Sequence, residues 1–379
     1  MKKILIFVTH SLGELDVLFP LITLVKSRYD VNIEIIFTVK TIYRKFELND
    51  FYRFCVSELD IKTTSFQLPN KFDYRDCRIK KYFLGRILIE SYFKILFCIK
   101  FPIFFYKLIV VDAYMHEISN QLSSLNVLYW IKKRYNKKIF SYHHGHGLIM
   151  NREPTKRVKF SEEVIYLNFH EHSRSSIEKS GFNNQRIIGY PKFYNEWKSL
   201  IKMYRNSTYE GQEIAVIYSR SVHPIYMDKD KYIKLLTSSC NVIREKMGNI
   251  KIIIKPHPRE DIQLINKILN DMNIVNVAIS WEHPTILAKN AKLIIALFSS
   301  TVLDGLSFQI PSIEYYEEAE RFREGEPKGS PYKNIGIDST HDEQELSKFI
   351  DKVISGNYKV PKIVDQLKIN KDCRFIDEI

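Results

Sequence analysis

The strongest constraint on this chain is a recurring unit: a short apolar run, an abrupt polar loop and then an amphipathic helix. Ile252 to Lys255 is apolar up to Pro256, which cannot extend a strand ladder, and the loop His257-Pro258-Arg259 follows. The pattern repeats in the strand Lys292 to Phe298, the turn Ser299-Ser300-Thr301 and a helix from Val302 to Phe308, with a third strand, SIEYY, after Pro311. Runs without polar alternation read as strands buried on both faces, as in parallel sheets.

Five more runs share this character: Lys3 to Thr9, Val31 to Thr38, Lys107 to Val111 ending at Asp112, Lys138 to Tyr142, and Glu163 to Phe169. Helices are expected from near Leu15 through Val25, over Ser173 to Lys179, and from Asp342 to Val353 ahead of a basic tail. The polar stretch Arg205 to Gln212 reads as a linker, and Glu213 to Tyr218 opens a second set of strands. The class is therefore α/β, and 379 residues suffice for two such domains with full cores. The boundaries read as 1–204, a linker 205–212, 213–355 and a tail 356–379.

Charge narrows the partners. Lys and Arg total 57 against 44 Asp and Glu, a net +13 that favours an anionic partner. Nucleic acid is disfavoured, because the chemistry collects in α/β strand-end loops rather than in basic stretches interleaved with exposed aromatics. The five cysteines (Cys55, Cys77, Cys98, Cys240, Cys373) are scattered, with no disulfide framework or CxxC pattern, so a reducing cytoplasm is expected. MKKILIFVTH reads as the first strand and not as a signal peptide. Residues 78–107 are rich in aromatics, yet Arg86, Glu90, Lys94 and Lys100 interrupt every membrane span. Their spacing gives either a helix lying on an anionic inner-membrane surface or one packed into the first domain with a basic outer face.

Open α/β sheets bind ligands beyond the carboxyl ends of their strands, which directs attention to the loops. Lys255, His257 and Pro258 occupy one, Ser299, Ser300 and Thr301 a second, and Ser219 and Arg220 a third. Hydroxyls, a histidine and cations at such ends suit a phosphate or carboxylate. Glu282 and His283 precede a helix whose start would face the same ligand. The loop His143-His144-Gly145-His146-Gly147 suggests a metal, but adjacent imidazoles in a glycine loop rarely converge and no acidic or cysteine partner is near. A glycine loop admitting substrate to the backbone is the better account. Neither a metal nor a cofactor is expected. Gly13, Glu14 and Asp16 follow the first strand, where a first-turn acid is either an ordinary helix-dipole complement or a functional group.

These residues carry a resemblance. Lys-Pro-His-Pro at 255–258 with Ser-Ser-Thr at 299–301 is similar to the paired motifs of bacterial sialyltransferases that use CMP-sugars and, more distantly, to CDP-glycerol transferases. The segment HSLGELDVLFPLI resembles the Ser-x-Gly-Glu segment of lipopolysaccharide Kdo transferases. The resemblance implies GT-B: two Rossmann-like doubly wound domains facing across a cleft, the first for acceptor, the second for donor. It implies that Glu14 is the base, that His257 meets the donor phosphate, that Ser299 to Thr301 bind phosphate or carboxylate, and that His144 or His146 faces the acceptor side with Gly13 and Asp16. The expected activity is transfer of Kdo or a sialic-type ulosonic acid from CMP onto a lipopolysaccharide, O-antigen or capsule glycan. A nucleotide-sugar epimerase or hydrolase of the same fold, or a transferase using CDP-glycerol or a UDP-sugar, stays open.

Overall fold

The structure is a computed structural model that describes residues 1–9, 11–66, 102, 104–117, 132–143, 161–222, 227–317, 330, 332–367 and 377. The described residues form two compact units, one up to Pro191 together with residue 377, the other from Lys192 to Leu367.

In the first unit seven described strands form one parallel sheet: β1 (Lys2–Val8), β2 (Val31–Phe37), β3 (Lys62–Ser65), β4 (Ala113–Glu117), β5 (Lys138–Tyr142), β6 (Ile165–Asn168) and β7 (Gln185–Ile187). Their spatial order is β3-β2-β1-β4-β5-β6-β7, so the order reverses between β1 and β4. Ile4 to Val8 are all buried, which is why β1 reads as a continuous apolar run rather than an alternation. The helix Leu15–Arg28 buries nearly its whole first half, matching the expected start near Leu15.

The second unit repeats the plan with β8 (Ile214–Tyr218), β9 (Lys251–Lys255), β10 (Val277–Ile279), β11 (Ala291–Leu297), β12 (Ser312–Tyr315) and β13 (Ser339–Thr340), in the order β10-β9-β8-β11-β12-β13. Here the order reverses between β8 and β11. One face is apolar: Ile217, Ile254, Leu297, Ile313 and Tyr315 pack against Leu235 and Leu236 of the helix Lys229–Met247, Ile265 of the helix Ile262–Asp271, and Leu346 of the helix Glu343–Ile354. Asp228 caps the first of these by accepting from the Lys231 N–H at 2.9 Å. Alternation along a strand sends the next residue of each to the opposite face, so Lys255, Tyr218, Ala296, Glu314 and Ser339 share a single row, paired in register across five strands. The short helix Val302–Ser307 covers that face closely. A Cβ on Gly305 would collide with Ser312 Oγ and Ile294 Cδ1, so only glycine permits the approach.

One expectation is corrected. Residues 107–111 are not a strand; residues 104–110 are helical, and the strand is β4, after Asp112. A five-residue apolar run fits a buried helix segment as well as a strand, and here Phe104, Leu108 and Val111 recur at helical spacing to pack with Phe7 and Tyr114. Asp112 consequently sits before β4, where its carboxylate accepts from the Lys3 N–H at 2.6 Å. The rest of the basic aromatic stretch, 78–101 and 103, lies outside the described residues. Within its described end Phe104 is buried and Lys107 pairs with Glu34 at 2.7 Å, while Tyr106 stays 68% exposed. Among the described residues no helix is long and apolar enough to cross a membrane.

Candidate functional site

Beyond the carboxyl ends of β8 and β9, two loop residues and one from the helix Lys229–Met247 converge on one carboxylate. Glu260 accepts from Ser219 Oγ at 2.6 Å, from Tyr232 Oη at 2.8 Å and from the His257 backbone N–H. Burial pushes the Glu260 carboxyl above its ordinary range, and the donors from Ser219, His257 and Tyr232 oppose that shift. Ser219 is therefore a brace between two strand-end loops, and Glu260 ties the backbone of the His257 loop in place.

His257 itself is shaped by its surroundings. Its Nδ1 accepts the Arg259 N–H at 3.2 Å, so the ring proton belongs on Nε2. Burial, then Arg259, Arg220 and Lys255, push the imidazole down to about 4. At neutral pH it is an uncharged N–H donor that feels three cations, a set of donors suited to an anion. Arg220 donates to the Phe298 carbonyl and its guanidinium lies 4.8 Å from the Phe298 ring centroid. Phe298, at φ +46°, occupies the left-handed region, a strained conformation for an aromatic residue and one that clusters at ligand sites. Lys255 Nζ donates to the Pro256 carbonyl at 2.9 Å and stands 5.2 Å from the Trp281 ring centroid. Pro258 is exposed beside His257.

Ser299, Ser300 and Thr301 immediately follow the strained Phe298. Thr301 Oγ1 meets Ser299 Oγ at 3.0 Å, and the helix they open, Val302–Ser307, is only six residues long. What holds that helix lies beneath it. Asp304, with no exposure, accepts from Lys192 Nζ at 2.8 Å with both carboxylate oxygens and from Thr285 Oγ1 at 2.7 Å. Glu282 accepts from Ser207 Oγ and the Thr208 N–H, each at 2.7 Å, and His283 caps the helix Pro284–Asn290 by accepting the Thr285 N–H at 3.2 Å. Both residues expected to face a ligand thus also carry local structure.

In the first unit Gly13 lies in the single turn Leu12–Glu14 after β1. Glu14 is fully buried; its carboxylate accepts the Thr9 N–H at 3.0 and 3.1 Å and the Ser11 N–H at 3.1 Å. Asp16 accepts from Tyr52 Oη at 3.0 Å. His144 and His146 lie outside the described residues, and the neighbouring His143 Nδ1 bonds Tyr166 Oη.

Sequence reading missed Glu260, Asp304, Lys192 and Glu314. The spacing Thr301-x-x-Asp304 has the form of a capping box, and a lone carboxylate inside the apolar run SIEYY was a visible signal. Glu314, fully buried, accepts from Ser339 Oγ at 2.9 Å and from Ser330 Oγ, while its other oxygen is buried with no hydrogen-bond partner among the described residues. Burial raises its carboxyl to about 7, against the opposing effect of the two hydroxyls and Arg220.

No protein-family model matches the sequence, and no curated protein matches it significantly. Solved structures do share its fold. A Listeria monocytogenes protein assigned as a UDP-N-acetylglucosamine 2-epimerase superposes with a TM-score of 0.59 at 10% identity, over 98% of this chain and 92% of that one. The Methanocaldococcus jannaschii UDP-GlcNAc 2-epimerase, solved with UDP-GlcNAc and UDP, gives 0.55 at 15% identity over 95% of each chain. UGT73P12 of Glycyrrhiza uralensis, solved with glycyrrhetinic acid 3-O-monoglucuronide, gives 0.52 at 8% identity over 97% and 90%. The fold is α/β of the GT-B type, with two Rossmann-like units.

Glu314 makes stability depend on pH. Its folded carboxyl holds a proton up to about 7, whereas an unfolded glutamate releases it near 4.3, so stability should fall as pH rises through that window. The full loss is up to about 4 kcal/mol. Glu314→Gln, which cannot ionise, should flatten melting temperature against pH between 4.5 and 8; a profile parallel to wild type would show that Glu314 is not the group responsible.

Proposed function

We propose that the chain is a glycosyltransferase that moves a sugar from a nucleotide donor, CMP-linked Kdo or a sialic-type acid, onto a bacterial surface glycan. The observation that carries this reading is the neutral His257 donor among Arg220, Lys255 and Arg259 in strand-end loops of a GT-B-type unit. When the glycosidic bond to CMP breaks, negative charge grows on the departing phosphate. Fixed N–H donors and cations stabilise that charge without having to reorganise. Ser299, Ser300 and Thr301 are assigned to the same phosphate or the donor carboxylate, with Ser219, Glu282 and His283 holding the surrounding loops. The CMP preference comes from the likeness of Lys-Pro-His-Pro and Ser-Ser-Thr to CMP-sugar transferases.

A second reading has its own support. Two of the solved structures above bear the name UDP-GlcNAc 2-epimerase, and an epimerase would act on donor alone. Incubating the protein with UDP-GlcNAc and no acceptor separates the two: conversion to an epimer or to free UDP would favour this second reading.

For the transferase, CMP should raise the melting temperature more than UDP or CDP. Replacing His257 with Ala should weaken CMP binding by about 1.5 to 3 kcal/mol, roughly 10- to 150-fold, the scale of a lost charge-assisted hydrogen bond. Stronger stabilisation by UDP in calorimetry would move the donor to a UDP-sugar.

Glu14 is proposed as the base that takes the acceptor hydroxyl's proton. Its burial and its bonds to the Thr9 and Ser11 N–H groups mean that it must give up part of that network to do so. With Glu14→Gln, a base role lowers turnover per folded molecule by roughly 100- to 10,000-fold at unchanged CMP affinity, whatever the lost hydrogen-bond acceptor costs in melting temperature. A loop-bracing role lowers only melting temperature and leaves turnover per folded molecule near wild type.

Residues 78–107 are proposed to hold the enzyme to an anionic membrane surface near its acceptor. The protein should float with anionic vesicles, less so as salt rises, and much less with neutral ones. Equal partitioning to both would return the segment to the domain core.

A further inference from the structure

Of the two described tryptophans, Trp197 is fully buried while Trp281 is 56% exposed. An exposed indole at a loop tip would mean little, but the backbone around Trp281 is fixed on both sides. Ser280, just before it, donates its N–H to the Ile254 carbonyl at 2.9 Å, extending the ladder between β10 and β9. Glu282, just after it, is held by Ser207 Oγ and the Thr208 N–H. The indole is therefore presented at the carboxyl end of the strand next to the one that ends in the His257 loop.

Lys255 links the two places. Its ammonium stands 5.2 Å from the Trp281 ring centroid, and it is one of the charges acting on His257. A flat aromatic face and a set of anion donors thus lie within reach of one side chain. A nucleotide presents the complementary pair, a planar base and a phosphate joined through ribose. Resting on the nucleotide-donor reading above, we infer that Trp281 is the platform on which the donor's base stacks while its phosphate meets His257, Arg220 and Lys255. Stacking tolerates any base, so Trp281 would add affinity without choosing between cytosine and uracil.

The test compares the full chain with Trp281→Ala and Trp281→Phe by calorimetry, using CMP and ribose 5-phosphate as probes. Base–aromatic stacking is worth roughly 5- to 150-fold in affinity. Trp281→Ala should weaken CMP by about that factor and leave ribose 5-phosphate unchanged, and Trp281→Phe should recover most of the loss. Full CMP affinity in Trp281→Ala would overturn the platform and leave the nucleotide site standing. Equal weakening of both probes would also overturn it, showing that the indole only supports Lys255. If wild-type protein bound neither CMP nor ribose 5-phosphate, the nucleotide-donor reading itself would fall, and this inference with it.

Discussion

Asp304 carries a charge where water cannot reach it, and the arrangement of the second unit's ligand-side face depends on how that charge is met. A buried carboxylate is tolerable only with a partner and filled hydrogen bonds. Lys192 and Thr285 supply both, from the first residue of the unit and from the helix Pro284–Asn290. Lys192, 112 residues away in sequence, and Thr285, 19 away, are thereby locked to one carboxylate. A hydrophobic contact could slide by an ångström at little cost, whereas this set of bonds cannot, and the Ser299 to Thr301 turn sits on the helix it fixes. Gly305 completes the lock by letting that helix descend onto Ser312.

Glu260 performs the corresponding task on the other side of the switch point between β8 and β11. It gathers Ser219, Tyr232 and the His257 backbone, so the loops after β8 and β9 move together or not at all. With the loop backbones committed to these bonds, His257 and Arg220 are held at defined positions before any ligand arrives. Such pre-organisation lets a site stabilise developing charge without reorganising at the moment of reaction. The cost is visible in Phe298, held at positive φ at the junction.

Glu314 differs from both. It shares the row of Lys255 and Tyr218, but among the described residues only its Ser330 and Ser339 side is satisfied, and burial keeps its proton on to about 7. A group left in that condition is a stability cost at neutral pH, which native structures tolerate most readily near functional sites.

Much of this was legible in the chain alone. Buried parallel strands must be apolar along their whole length, so eight of the thirteen described strands could be placed from sequence, β5 at Lys138–Tyr142 on its expected range, whereas β4 and the short edge-ward strands β3, β7, β10 and β13 could not. Loops at their carboxyl ends must carry whatever polar chemistry the sheet presents, which singled out Arg220, Lys255, His257 and Ser299 to Thr301. Short apolar runs carry less information: 107–111 fits either period, and packing of Phe104, Leu108 and Val111 around Phe7 chose the helix. Tertiary structure alone decided which polar residues became supports. Glu260 and Asp304 look like any surface acids until the fold brings Tyr232, Lys192 and Thr285 to them, because a buried charge is defined by partners distant in sequence. For the same reason Glu14, exposed by its sequence position to either reading, is drawn inward onto the Thr9 and Ser11 N–H groups.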